Sequence, residues 1–151
     1  MLLDRVAATS EAVAATRSRL AKRAAIAALL RATATEDAGA PEDTADDVEI
    51  VVAYLSGELR QRRTGLGYAA LRDLPPPASE PTLTVAGVDA AFEKMAALAG
   101  PGSGAARGQA AADLFGAATA REQRLLVGLV AGELRQGALD SVVLDAVARG
   151  R

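Results

Sequence analysis

The chain has 151 residues, enough for one domain with a real core and too few to expect two independent ones. It contains no cysteine and no histidine, which excludes disulfides, thiol nucleophiles, histidine bases and the usual zinc sites; any metal would rest on carboxylates alone. Net charge is −2, yet seven acids and no base lie between Glu36 and Glu49, and the remainder carries 17 bases against 12 acids, a mildly basic body whose arginines cluster.

Aromatics make up only 3 % of the chain, alanine dominates the apolar set, and no stretch alternates apolar with polar residues, so the expected fold class is all-α. At the start, Asp4 and Arg5 interrupt any signal-like stretch, and no apolar run approaches the length that crosses a bilayer. The expectation is a soluble, cytoplasmic protein without a membrane partner.

Ser18 reads as the N-cap of a helix running to about Arg31, with Leu20, Ile26, Leu29 and Leu30 as its apolar stripe. The acidic segment from Thr33 to Asp43 reads as a solvated loop. A second helix opens at Thr44, with Asp47 three residues on in a near capping box, and runs through Gln61; Val48, Val51, Val52, Leu55 and Leu59 share one face. A basic glycine turn, Arg62 to Gly67, then leads to a short helix over Tyr68–Leu74. Pro75, Pro76, Pro77 and Pro81 make a stiff linker. Thr84 caps a helix through about Leu98, the glycine-rich GPGSG at 100–104 delivers the chain to a helix beginning near Ser103, and Thr119 with Glu122 forms a full capping box for the helix 119–136. Gly137 to Asp140 turns into a last helix, Ser141 to about Arg149.

The string GELRQ occurs at Gly57–Gln61 and again at Gly132–Gln136, 75 residues on, and the same offset pairs Thr44 with Thr119, Ala45 with Ala120 and Val52 with Val127. One supersecondary unit is thus used twice, with halves at about 16–74 and 84–149. Leu126, Val127, Val130 and Leu134 repeat most of the apolar face of 44–61. Ala53 with Gly57, and Gly128 with Gly132, form a second stripe; a glycine inside a helix costs up to about 1 kcal/mol relative to alanine, so its recurrence implies two backbones packed closely about a pseudo-twofold axis. A second offset, of 85, pairs Ser18 with Ser103 and Lys22 with Arg107.

Two motifs carry candidate chemistry. At the paired helix starts, Ser18 with Lys22 and Ser103 with Arg107, free N–H groups and a cation one turn inside suit a phosphate, although each is equally an ordinary helix start with a solvated cation. In the turns after GELRQ, Arg60, Arg62 and Arg63 precede Gly65 and Gly67, and Arg135 with Gly137 is a thinner second version, so guanidinium forks and close backbone amides would meet a phosphate together. The alternative is that Glu58 and Glu133 hold these arginines in structural ion pairs. Neither Lys22 nor Lys94 sits in a nucleophile-like context, and no catalytic or metal-binding constellation is present.

GELRQGALDSVVLDAVA at 132–148, preceded by GPGSGAARGQAAADLFGAATAREQRLLVGL at 100–129, resembles the N-terminal DNA-binding domain of ATP-dependent DNA ligases of bacteria and archaea. TRSRLAKRAAIAALL at 16–30 and YLSGELRQRRTGLGYAALRDLPPPA at 54–78 resemble its earlier blocks. The resemblance implies an all-helical, pseudo-twofold domain that lies on the minor groove across a nick and touches mostly phosphates and sugars. Adenylation and oligonucleotide-binding-fold domains of the same parent chain would complete a ring around nicked double-stranded DNA in replication, repair or recombination, at the nucleoid. ATP and magnesium belong to that parent; the family's K-x-D-G motif is absent here, so this chain is expected to be non-catalytic and to hold no cofactor. The family's domain also continues past the helix corresponding to 141–149, so a truncated domain with a homodimer caused by truncation is expected, and Gly128 stands where relatives often have a basic residue. The rival from another class is a helical protein-interaction scaffold with no nucleic-acid role.

Overall fold

The computed structural model describes residues 1–37, 47–61 and 64–132, and over these the chain is all-α: seven helices, with no strand among the described residues. The first, α1 (Leu3–Ala15), was not expected from the sequence. Its buried Leu3, Val6, Ala7 and Val13 recur at helical spacing, and Asp4 favours its positive N-terminal end. Leu3 N–H donates to the Leu83 carbonyl at 2.9 Å and Val85 N–H to that of Met1 at 2.9 Å, an isolated antiparallel bridge that joins the start of α1 to the start of α5.

Helix α2 (Arg19–Asp37) starts where expected: the Ser18 hydroxyl accepts from Ala21 N–H at 3.1 Å. It runs past Arg31 into the segment expected to be a loop. Thr33 is fully buried and its hydroxyl donates to the Leu29 carbonyl at 2.7 Å, while Thr35 donates to Arg31 at 2.9 Å, so these polar residues satisfy themselves within the helix. Leu20, assigned to the apolar stripe, is instead 66 % exposed; the buried face is Ile26, Ala27, Leu29 and Leu30.

Helix α3 (Asp47–Leu55) ends six residues before the expected Gln61, and α7 (Ala120–Ala131) five before Gln136. Gly57 has φ +81°, with Gly57 N–H donating to Tyr54 at 3.0 Å and Glu58 N–H to Ala53 at 2.9 Å, the paired bonds of a Schellman ending. Gly132 has φ +72° and donates to Gly128. The glycine of each GELRQ is therefore a helix terminator in the left-handed conformation, not an interior glycine placed for close packing. The principal helix contacts are of α1 with α2, α3 and α7, of α3 with α2 and α5, and of α5 with α6; a close pairing of α3 with α7 is not among them. Thr44, its proposed cap, and the second GELRQ beyond Gly132 lie outside the described residues, as does the helix expected at 141–149.

The buried faces match the expected ones in part: Val51 and Leu55 of α3 and Leu126 of α7 are buried as expected, and Leu59 packs at the edge of the core. In α3 they centre on Ile50, Val51, Tyr54 and Leu55, with Val48 and Val52 half-buried; in α7 they are Glu122, Leu125, Leu126 and Leu129, with Val127 and Val130 half-buried. Helix α3 packs on α2 and α5, and α1 packs on both α3 and α7. Between them come α4 (Tyr68–Arg72), shorter than expected, α5 (Val85–Ala97) and α6 (Ser103–Ala117). The caps at Thr84 and Thr119 match expectation: Thr84 Oγ1 accepts from Gly87 N–H at 3.0 Å, and Thr119 and Glu122 bond reciprocally at 2.8 and 3.3 Å. Fully buried Val85, Val88, Phe92, Met95, Phe115 and Leu126 anchor the second half of the core, each contributing about 1.5–3 kcal/mol of burial.

Candidate nucleic-acid interface

The chain leaves α3 at Gly57 and at once crosses to α5. Arg60 Nη1 meets Asp89 Oδ2 at 2.5 Å, with the Arg60 side chain 33 % exposed and that of Asp89 only 6 %. Gln61 Nε2 donates to Asp89 Oδ1 at 3.1 Å and lies 3.3 Å from Glu93 Oε1. The partner of Arg60 is thus Asp89, twenty-nine residues away, rather than Glu58. Burial, reinforced by the charge of Asp89 and opposed by Arg60, pushes the nearby Tyr54 phenol well up from its ordinary value.

After this anchor the turn reaches Thr64, whose hydroxyl accepts from Leu66 N–H at 3.3 Å, and Gly65, at φ +76°. The left-handed backbone favours glycine here, and a Cβ on Gly65 would push the Arg107 guanidinium aside. Arg107 Nη2 in turn donates to the Leu98 carbonyl at 2.9 Å, and Nε lies 3.4 Å from that of Met95, satisfying the last carbonyls of α5 where a cation is favoured. Two candidates chosen separately, the glycine turn and the helix-start cation of α6, therefore meet in space. Gly67 is exposed and a Cβ there would meet nothing.

The start of α2 is built differently. Its first turn carries no acid, Ser18 supplies the cap, and Lys22 is half-buried one turn inside. Ser103 is the first residue of α6, preceded by left-handed Gly102, and no side chain caps that helix. Arg62, Arg63, Arg135 and Gly137 lie outside the described residues. A groove of about 900 Å³ separates the ends of α3 and α7, with Gly57, Glu58, Gln61 and Gly132 on its walls. Among the described residues no group of three acidic side chains suits a metal ion, and no helix is long and apolar enough to cross a membrane.

Asp89 is the site residue that the sequence reading missed. Its signal was present: Val85, Val88, Phe92 and Met95 form the buried stripe of α5, and Asp89 falls within it, a charge on an apolar face. Glu11 was missed with α1. It binds Arg121 at 3.1 Å and Arg124 at 2.8 Å, and the hydrogen bond from Arg124, with the charges of both arginines, holds its carboxyl below the usual value.

Residues 69–148 match the family described as DNA ligase N terminus. Over 148 residues the chain is 72 % identical to a "Probable DNA ligase" of Beutenbergia cavernae, covering 98 % of this chain and 27 % of the relative. It is 62 % identical to a "Probable DNA ligase" of Kineococcus radiotolerans, again over 98 % of this chain and 28 % of the relative. A "DNA ligase B" of Mycobacterium tuberculosis is 53 % identical over 149 residues, 99 % of this chain and 28 % of its own. The chain thus spans little more than a quarter of the length of these relatives. No solved structure matches it.

Proposed function

The chain belongs to the DNA ligase N-terminus family, and from that premise we propose that it is the non-catalytic DNA-binding module of an ATP-dependent DNA ligase. It holds nicked duplex through phosphate and minor-groove contacts that do not read sequence. The adenylation and oligonucleotide-binding-fold domains of the parent chain, with ATP and magnesium, then supply the sealing chemistry. Phosphates are met at the starts of α2 (Ser18, Lys22) and α6 (Ser103), at the turn of Gly65 and Gly67, and by Arg62, Arg63, Arg135 and Gly137. Arg60 and Arg107 contribute from positions already tied to α5.

The observation that carries the reading is the meeting of Arg107 with left-handed Gly65, which puts an open backbone turn against a guanidinium on a rigid helix. The test is a salt titration of duplex binding. If the four basic elements around Lys22, Arg60 to Arg63, Arg107 and Arg135 each neutralise one phosphate, log affinity falls against log salt with a slope of about −3.6, alike on unrelated sequences. A slope near zero, or strong dependence on base sequence, overturns the proposal and favours the interaction scaffold.

A further inference from the structure

The chain that follows α3 meets α5 directly at one place and passes Arg107 of α6 at another. At its start, Arg60 and Gln61 converge on Asp89, in the second turn of α5. At its far side, Gly65 lies against Arg107, which is itself hydrogen-bonded to the last carbonyls of α5. Thr64 to Gly67 follow closely on the first of these points and pass the second at Gly65, and Leu66 N–H is already turned onto Thr64 Oγ1. Asp89 is 4 % exposed, so it touches no ligand itself. A buried carboxylate that receives a guanidinium and an amide together is costly to desolvate and weakly justified by stability alone, whereas it fixes geometry well.

We propose that Asp89 is a positioning residue: by tying Arg60 and Gln61 to α5, shortly before Gly65 passes the Arg107 side chain, it holds the backbone of residues 64–67 in the arrangement that meets a phosphate. The inference rests on the DNA-binding reading above for its functional meaning, and on the hydrogen bonds alone for its geometry. Arg60 and Arg107 then anchor the turn as well as adding charge beside it, and the exposed backbone of Gly65 and Gly67 meets the phosphate directly.

The variant is Asp89→Asn, which keeps the shape and one acceptor for Gln61 while removing the charge that holds Arg60. Two measurements are made on the whole chain. By NMR hydrogen exchange, the Leu66 amide, bonded to Thr64, and the Ala70 amide, bonded to the Gly67 carbonyl at 3.2 Å, exchange about tenfold faster, while amides within α1 are unchanged. Exchange at Leu66 and Ala70 that stays at the parent rate overturns the positioning role, whether or not the chain binds DNA. In duplex binding well below the thermal midpoint, Asp89→Asn weakens affinity about tenfold. Combined with Gly65→Ala it costs no more than the worse single change, although the two losses of thermal stability add. The core variant Val13→Ala, which destabilises without touching the turn, binds DNA as the parent does. Full additivity in affinity, or an equal loss in Val13→Ala, shows that Asp89 is merely structural. A parent chain that binds no duplex overturns the DNA-binding reading and leaves the exchange result to decide the clamp.

Discussion

The starts of α2 and α6 carry the same sequence signature, a serine followed four residues later by a cation, and the fold uses them for different ends. At α2 the serine does the work: Ser18 caps, and Lys22 sits half-buried above it. At α6 the cation does: Ser103 caps nothing, left-handed Gly102 makes the entry, and Arg107 closes the end of α5 and fills the space beside Gly65. The difference lies in what each start faces. The last carbonyls of α5 come within reach of Arg107, so its charge is absorbed by a helix end, whereas the first turn of α2 is exposed and holds its hydrogen bonds within a few residues. Equal spacing in sequence thus yields one start capped by its own serine and one whose cation is bonded across to another helix.

The largest expected effect separates the two cations. Arg107→Ala removes charge-assisted hydrogen bonds to the end of α5 and costs about 2 kcal/mol in urea unfolding, while Lys22→Ala stays within about 0.5 kcal/mol. Equal losses would erase the distinction. For DNA binding the order reverses in kind: Lys22→Ala flattens the salt slope by about 0.9, one phosphate's worth, without changing helicity.

Next in size is Gly65→Ala. A side chain at φ +76° is strained and would also displace Arg107, so the change costs about 1–3 kcal/mol, against less than about 0.5 kcal/mol for Gly67→Ala. In an Arg107→Ala background the steric part of the Gly65 penalty disappears and the conformational part remains, and a double-mutant cycle on thermal unfolding reads that coupling.

Smaller again is the pair of serines. Ser18→Ala deletes a cap and costs about 1 kcal/mol, whereas Ser103→Ala, which removes no cap bond, stays within about 0.5 kcal/mol. Comparable losses would show that the two starts are equivalent after all.

The smallest effect is one of pH. The first turns of α2 and α6 hold no carboxylate, so neither start responds to mild acid. Glu11 does: its folded pKa lies below the ordinary value of 4.5, so its contribution is present above that value and is lost as pH falls through the depressed one. An acid titration of thermal stability should show a weak loss in that window that is absent in Glu11→Gln, with the Ala21 amide at the α2 cap unchanged by NMR.

Much of the fold was legible where the interaction spans three or four residues. Ser18, Thr84 and Thr119 cap as their spacing implies, and each bond runs from an oxygen to an amide three residues on. The glycines of GELRQ were recognised as special but assigned to the wrong cause, because a glycine inside a helix and one ending it look alike until the hydrogen bonds of Gly57 and Glu58 are traced. The first helix is less legible: its buried Leu3, Val6, Ala7 and Val13 are interrupted by Asp4, Arg5 and a run of small and polar residues, so its apolar stripe is weak in the sequence.

From the sequence alone followed what short-range chemistry determines: an all-helical chain, its caps at Ser18, Thr84 and Thr119, and a basic character hidden beneath a net negative charge. Only the tertiary structure decided which charges remain available. Arg60 reaches Asp89 across twenty-nine residues, and Arg107 meets Gly65 and the end of α5, because packing brings those helices together. A bond three residues long is encoded in spacing, but an ion pair between distant helices depends on how every buried face between them turns inward.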